Sequence, residues 1–217
     1  MREKSAAAMS EAEASASQSA SGVFGFSGDP AEKSKCERLV SRAMTGDAKV
    51  RTLQQALNAL GVATGGLVRC DHCPDNVEVA GGYVPSDRQI VLCQQWMAKA
   101  PAEVQNTLAH EMIHAYDDAR AYLDWTDLKH QACTEIRAAS LSGDCTWTRE
   151  IDRGNVVFRL SGAGSKCVRR RAELSVAMNP ACPSATAARE AVDSVFTHCF
   201  ADRAPFSQNP INPILAE

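Results

Sequence analysis

Apolar residues recur at helical spacing in the segment that follows Asp47. Four of them, three or four positions apart, fall on one face of an α-helix: Val50, Leu53, Leu57 and Leu60. Asp47 can accept hydrogen bonds from the first free amides of such a helix, and Gly61 is a typical stop. We therefore predict an amphipathic helix between Asp47 and Gly61.

The pattern then changes to short segments that are rich in β-branched residues. They are separated by Pro, Gly, Asn and Asp, which favour turns. These segments are residues 67–70, 77–84 and 89–93. We predict a small antiparallel sheet from them.

Helical periodicity returns after the sheet. Pro101 suits the first turn of a long helix that runs through residue 121, and a second helix is predicted for residues 126–141. Further helical segments are predicted for residues 146–153, 167–178 and 184–200. The fold class that follows is α+β, with a small sheet, a central helix and a mostly helical C-terminal part.

The two ends of the chain differ in composition from its middle. Seven alanines and six serines occur among the first 22 residues, so we expect residues 1–28 to be disordered. This segment lacks the apolar core of a secretory signal, and its glutamates outnumber its basic residues, so we expect no cleaved leader. Residues 29–203 form the predicted domain, and residues 204–217, with three prolines, an extended tail.

Charge and hydropathy exclude two classes of protein. The 217 residues carry a formal net charge of −3, whereas a protein that coats nucleic acid usually has a strongly basic face, so we expect no nucleic-acid partner. No run of apolar residues approaches the roughly 18 that a membrane-spanning helix needs.

Nine cysteines are more than a reducing compartment usually requires unless they bind metal or act in redox chemistry. The C-x-x-C motif at Cys70 and Cys73 could be half of a structural zinc site, a redox pair or part of a disulfide framework. No second C-x-x-C completes a four-cysteine site, which favours disulfides, and the odd number leaves at least one thiol unpaired. All nine are candidates: Cys36, Cys70, Cys73, Cys93, Cys133, Cys145, Cys167, Cys182 and Cys199.

The most specific motif is H-E-x-x-H at residues 110–114, inside the long predicted helix. His110 and His114 lie one turn apart on one face, so both imidazoles can bind a single zinc ion. Glu111 lies beside them and can take a proton from a water molecule. We predict one zinc ion per chain, with Glu111 as the catalytic residue.

A zinc ion of this kind needs a third protein ligand. We predict Glu135, which lies 21 residues beyond His114 on the next predicted helix and begins the sequence E-I-R-A. This arrangement resembles the zincins that use a glutamate ligand. His130 and Asp124 are the alternative ligands, and His130 could instead stabilise an oxyanion.

Two further features have open roles. Asp117 and Asp118 follow the second histidine by three and four residues, where a carboxylate can orient a metal-binding imidazole or simply face solvent. The basic cluster at residues 166–171 is either a solvated helix start or a contact with an anionic membrane surface.

Several separated motifs resemble one family, the mitochondrial inner-membrane metalloproteases that mature subunit 6 of ATP synthase. The longer ones are HEMIHAYDDAR at 110–120, DW at 124–125, HQACTEIRA at 130–138 and LSGDC at 141–145. Shorter ones are C-x-x-C at 70–73, GGY at 81–83, VLCQ at 91–94, CVRRR at 167–171, NP at 179–180 and PF at 205–206. The resemblance extends over about residues 36 to 206.

This resemblance implies a location and a substrate. The protein would lie in the intermembrane space, peripherally attached to the inner membrane, and remove the propeptide of ATP synthase subunit 6. It would also act as a chaperone, with inner-membrane assembly factors, when the membrane sector is assembled. Members of this family enter by oxidative trapping, which accounts for the cysteines. By the same resemblance, His110 and His114 bind zinc and Glu111 is catalytic.

The predicted reaction is zinc-assisted peptide hydrolysis, and the strand at residues 89–93 is our candidate for pairing with an extended substrate. Two other functions compete with it. One is an assembly or binding protein whose zinc site is vestigial or structural. The other is a DNA-repair partner of the Ku protein, which the cysteines and the acidic balance disfavour.

Overall fold

The computed structural model describes residues 28–74, 79–152, 154 and 163–211. The predicted disordered segment, except for Gly28, and the last six residues of the predicted tail lie outside this part of the chain, as does the start of the predicted strand at residues 77–84.

Two helices begin the described chain. Helix α1 (Pro30–Gly46) starts at Asp29, whose carboxylate accepts the amide of Ala31, and has no counterpart among the sequence predictions. Helix α2 (Ala48–Ala59) confirms the predicted amphipathic helix. Asp47 caps α2 as expected by accepting the amides of Lys49 and Val50.

The described residues form a three-stranded sheet in the order β1-β3-β2. Its strands are β1 (Val68–Asp71), β2 (Gly81–Val84) and β3 (Gln89–Cys93). Strands β2 and β3 pair antiparallel, as expected. The prediction of a purely antiparallel sheet is wrong, because β1 pairs with β3 in parallel.

The parallel pair has a simple physical cause. Residues 72–88, which include β2, separate β1 from β3 and are long enough for the crossover that parallel pairing requires. The crossover places β1 on the far side of β3, so β3 becomes the central strand. Both edges of β3 are therefore paired with other strands of the chain.

Two long helices follow the sheet. A short helix, α3 (Gln94–Lys99), and a 3₁₀ turn at Pro101–Glu103 lead into α4 (Val104–Arg120), which confirms the predicted long helix. Helix α5 (Leu128–Leu141) confirms the next one, with Asp127 as its N-cap.

The C-terminal part is helical, as predicted. It comprises α6 (Trp147–Asp152), α7 (Ala163–Ala177) and α8 (Ala185–Ala201). Beyond α8, the described residues 202–211 contain neither helix nor strand, and Phe206 packs against the apolar core.

Helix α5 lies between two apolar clusters. Ala138 and Leu141 belong to the first cluster, which joins α5 to the sheet and to helices α1, α2 and α4. Ala132, Ile136 and Ala139 belong to the second, formed with α7 and α8. Burial on two sides fixes the direction in which the polar residues of α5 point.

Four disulfides cross-link the fold. They join Cys36 to Cys70, Cys73 to Cys93, Cys133 to Cys199 and Cys145 to Cys167. The C-x-x-C cysteines thus belong to two different disulfides, which excludes the redox pair and the structural zinc site for this motif. All nine cysteines lie in the described part of the chain, and Cys182 is the one without a disulfide. Among the described helices, none is long and apolar enough to cross a bilayer.

Candidate metal centre

Helix α4 places the three residues of the H-E-x-x-H motif in the protein interior. The rings of His110 and His114 lie one turn apart, with their centroids 4.9 Å from each other. Glu111 and His114 are buried, with 7% and 5% of their surface exposed. The apolar residues of α4 pack against the first cluster, so the polar face of the helix is held in one orientation.

Helix α5 brings Glu135 to the two histidines. One oxygen of Glu135 lies 3.6 Å from Nε2 of His110, and the other lies 3.8 Å from Nε2 of His114. Ligand atoms of these three residues all lie within 4.8 Å of one another. The residues that the sequence proposed as metal ligands therefore meet at one point.

The donor set fits a zinc ion. Two imidazole nitrogens and one carboxylate are a combination that zinc sites use, and a tetrahedral ion with bonds of about 2.1 Å keeps its ligand atoms about 3.4 Å apart. The observed separations of 3.6 and 3.8 Å are close to that value. Three buried carboxyl groups also surround the two histidines, those of Glu111, Glu135 and Asp144. A cation would balance this excess of acidic groups.

Asp144 holds the first histidine. Its Oδ2 lies 2.9 Å from Nδ1 of His110, which leaves Nε2 of that ring to face Glu135. Asp144 follows the end of α5 and is buried. Sequence reasoning did not propose this residue.

Thr134 holds the second histidine. Its hydroxyl lies 3.0 Å from Nδ1 of His114 and donates a hydrogen bond to Asp117. Asp117 in turn accepts hydrogen bonds from the buried guanidinium of Arg137. Asp117, proposed as an orienting carboxylate, therefore reaches His114 only through Thr134.

Asp118 binds a different pair of residues. It accepts hydrogen bonds from the hydroxyl of Tyr83 and the indole of Trp125. The Trp125 ring lies 6.1 Å from that of His114 and 5.9 Å from that of Tyr83. Asp118 thus connects strand β2 and the α4–α5 loop to the side of the candidate centre.

The two alternative ligands lie outside the group of three donors. Nδ1 of His130 accepts the amide of Asp124, and the carboxylate of Asp124 accepts hydrogen bonds from Thr126. Both residues therefore stabilise the loop that precedes α5. The ring of His130 packs edge-on against Tyr122, which is 84% exposed.

The charged groups shift each other's pKa. Burial lowers the pKa of His110, but hydrogen bonds to Asp144 and Glu135 outweigh it, so the pKa lies well above its usual value. Burial raises the pKa of Glu135, but the charge of His114 and hydrogen bonds with His110 and Ser175 leave it lower than usual. Burial raises the pKa of Glu111, and the two histidines offset this only in part.

The basic cluster at residues 166–171 forms ion pairs within the protein. Its arginines pair with acidic residues as follows: Arg169 with Asp193, Arg170 with Glu150 and Arg171 with Asp144. Arg171 thereby reaches the carboxylate that holds His110. The cluster is consequently part of the packing between helices.

The supporting residues that were not proposed from the sequence lie within the motifs that carry the family resemblance, but no spacing rule assigns them a role. Thr134 lies one residue before Glu135 and Asp144 one before Cys145, and neither belongs to a recognisable spacing. Trp125 and Tyr83 belong to the short DW and GGY motifs, which do not by themselves indicate a contact with the candidate centre. Only the packing of the helices and the sheet brings them together.

A helix that carries two histidines and a glutamate, faced by a carboxylate from a second helix, defines the class of H-E-x-x-H metallopeptidases. The chain belongs to the peptidase M76 family, whose sequence model matches residues 34–207. The expected class of enzyme, a peptidase, is thereby confirmed.

Several fungal proteins named "Mitochondrial inner membrane protease ATP23" are similar to this chain. The protein of Schizosaccharomyces pombe is 42% identical over 180 residues, which cover 82% of this chain and 94% of the relative. That of Yarrowia lipolytica is 38% identical over 81% of this chain and 69% of its own length. The protein of Malassezia globosa is 44% identical over 65% of this chain and 58% of its own length. No solved structure matches the chain.

Proposed function

We propose that the protein is a zinc metalloendopeptidase of the glutamate-ligand zincin type. His110, His114 and Glu135 would hold one zinc ion, and Glu111 would act as the general base. The observation that carries this proposal is that donor atoms of His110 and His114 on α4 and of Glu135 on α5 all lie within 4.8 Å of one another, on the side of α4 that bears Glu111.

A zinc ion bound there supplies Lewis-acid chemistry, because it lowers the pKa of a water molecule and polarises a peptide carbonyl. Glu111 accepts the proton of the attacking water on its carboxylate and then delivers it to the leaving amine. Asp144 and Thr134 keep the two histidine rings in place throughout.

The structure changes which strand is the candidate for pairing with a substrate. β3, our candidate from the sequence, is the central strand and cannot accept another one, so that prediction is wrong. The outer edge of β2 has no strand partner among the described residues, and Tyr83 of β2 binds Asp118 of α4. We infer that an extended peptide adds to β2 beside the candidate centre.

The names of the relatives support a location at the mitochondrial inner membrane. We place the protein in the intermembrane space, peripherally attached, since four disulfides suit an oxidising compartment. The same cross-links count against a nuclear partner of Ku. We further propose the precursor of ATP synthase subunit 6 as substrate and a second role as a chaperone with assembly factors, on the resemblance of the motifs quoted above.

Complementation of cells that lack the endogenous protease tests this function. Glu111→Gln should leave the precursor of subunit 6 uncleaved while assembled ATP synthase is restored, because the chaperone role does not need the base. Glu190→Gln, an exposed residue of α8, is the matched control and should restore both.

Two outcomes would contradict parts of the proposal. Precursor processing at the wild-type rate by Glu111→Gln would remove Glu111 from the chemistry and favour an assembly protein with a structural metal site. Loss of both readouts would show that assembly depends on proteolysis, which contradicts a separate chaperone role.

A further inference from the structure

One face of α7 contacts the surroundings of all three candidate ligands. Arg171 and Ser175 are four residues apart and so lie on one side of α7, and Asn179 follows just beyond its end. Each reaches a different part of the candidate centre, although sequence reasoning assigned α7 no part in the site.

The contact through Arg171 is the most direct. Its guanidinium lies 3.3 Å from Oδ2 of Asp144, the oxygen that lies 2.9 Å from Nδ1 of His110. The same carboxylate oxygen is therefore shared between a fixed cation on α7 and the ring of a candidate ligand.

The other two contacts support the remaining ligands. Ser175 lies near Glu135 and helps to lower the pKa of its carboxyl group. The amide of Asn179 donates a hydrogen bond to the carbonyl of Trp125, whose ring packs against His114. Polar residues on α7 and just beyond its end thus contact the surroundings of the donor set.

A covalent link fixes this arrangement. The disulfide between Cys145 and Cys167 joins the residue after Asp144 to the helix turn that precedes Arg171. Cys167 is 2% exposed and lies beside the second apolar cluster through its neighbour Val168. The loop that carries Asp144 therefore cannot move away from α7 while the disulfide is intact.

We propose that Asp144 is a positioning residue of the metal centre. It accepts the Nδ1 hydrogen of His110 and so presents Nε2 of that ring to the ion, while Arg171 and the Cys145–Cys167 disulfide hold Asp144 in place. A carboxylate in this position typically accounts for about 10–100-fold in metal affinity. The inference rests on the proposed zinc site and adds the residues that determine its affinity.

The test is zinc affinity, measured on the purified oxidised protein by competition with a chromophoric chelator. Asp144→Ala should weaken zinc binding about 10–100-fold, and Asp144→Asn, which keeps an acceptor oxygen, should rescue part of that loss. Arg171→Gln should weaken binding less, because it loosens Asp144 without removing it.

Two further readouts separate positioning from a general loss of structure. The visible absorption spectrum of the cobalt-substituted Asp144→Asn protein should change, whereas a purely structural role would leave the spectrum of the folded fraction unaltered. Arg169→Gln is the matched control on α7: it breaks the ion pair with Asp193, far along the chain from the ligands, and should bind zinc like the wild type.

Each result has one interpretation. If the wild type binds no zinc, the proposed function fails, and this inference fails with it. If the wild type binds zinc and the folded Asp144→Asn and Arg171→Gln proteins bind it equally well with unchanged cobalt spectra, the positioning role alone is overturned. That conclusion does not depend on Asp144→Ala, so a failure of this variant to fold would leave the test intact.

Discussion

Glu135 and His130 lie on the same helix, but only one of them faces the candidate centre. They are five residues apart, or about one and a half helical turns, which turns their side chains in different directions. Glu135 points towards His110 and His114, while His130 accepts an amide hydrogen in the α4–α5 loop. Substituting each of the two residues in turn can therefore show which one is the third zinc ligand.

We expect Glu135→Ala to lose more zinc affinity than the roughly 10–100-fold that a missing supporting hydrogen bond costs, since it removes a ligand. His130→Ala should keep zinc binding within a few-fold of the wild type. The measurement is the zinc content of each variant after dialysis against a chelator. Equal zinc loss in the two, or loss only in His130→Ala, would show that the third ligand is assigned wrongly.

For single residues, the sequence correctly predicted those positions that follow from one local motif. The spacing within H-E-x-x-H fixes three side chains on one helix face, and the structure places them as expected. Asp144 and Thr134 escaped prediction because their contacts depend on how α5 and α7 pack. Such contacts between distant parts of the chain leave no periodic signal.

Among the elements, β2 has the most direct consequence for substrate binding. It is an edge strand, and its Tyr83 connects it to α4 and, through Trp125, to the surroundings of His114. A peptide that pairs with such an edge forms backbone hydrogen bonds at every second residue.

Substrate peptides with single N-methyl groups at successive amides test this pairing. We expect KM to rise at alternate positions by up to about tenfold, the value of one backbone hydrogen bond, and to change little at the positions between. Methylation well outside the cleavage region is the control. A uniform effect along the peptide, or none at all, would exclude strand addition to β2.

The strands and helices also show which structural features local sequence patterns do not predict. The predicted antiparallel pairing is correct for β2 and β3, because its signal lies in the strands and the short turn between them. The parallel pairing of β1 was missed because pairing direction depends on the path of the whole crossover. Helices α1 and α3 escaped prediction as well; α3 begins directly after β3, and its N-cap Cys93 forms no side-chain cap hydrogen bond, so no local signal marks its start.

For the whole molecule, the disulfides link segments that are distant in sequence. Cys133 of α5 and Cys199 of α8 are separated by 66 residues, so their bond restricts the unfolded chain more than the shorter links do. The number of cysteines indicated disulfides from the sequence, but only the folded chain shows which ones pair.

Replacing Cys133 and Cys199 together by Ala should lower the free energy of unfolding by about 4 kcal/mol, on the chain-entropy estimate for a loop of this length. Urea unfolding under non-reducing conditions measures the change. Cys182→Ala, which breaks no disulfide, is the control and should stay within about 0.5 kcal/mol of the wild type. An unchanged double variant would mean that this cross-link contributes nothing to stability.

The central claim is that Glu111 performs acid–base chemistry beside a metal ion held by His110, His114 and Glu135. The most direct test measures zinc content and peptide cleavage together in purified wild type and Glu111→Gln. We predict one zinc ion per chain in both proteins and cleavage by the wild type alone. Cleavage by Glu111→Gln at the wild-type rate, or a wild type that cleaves without binding zinc, would contradict the claim.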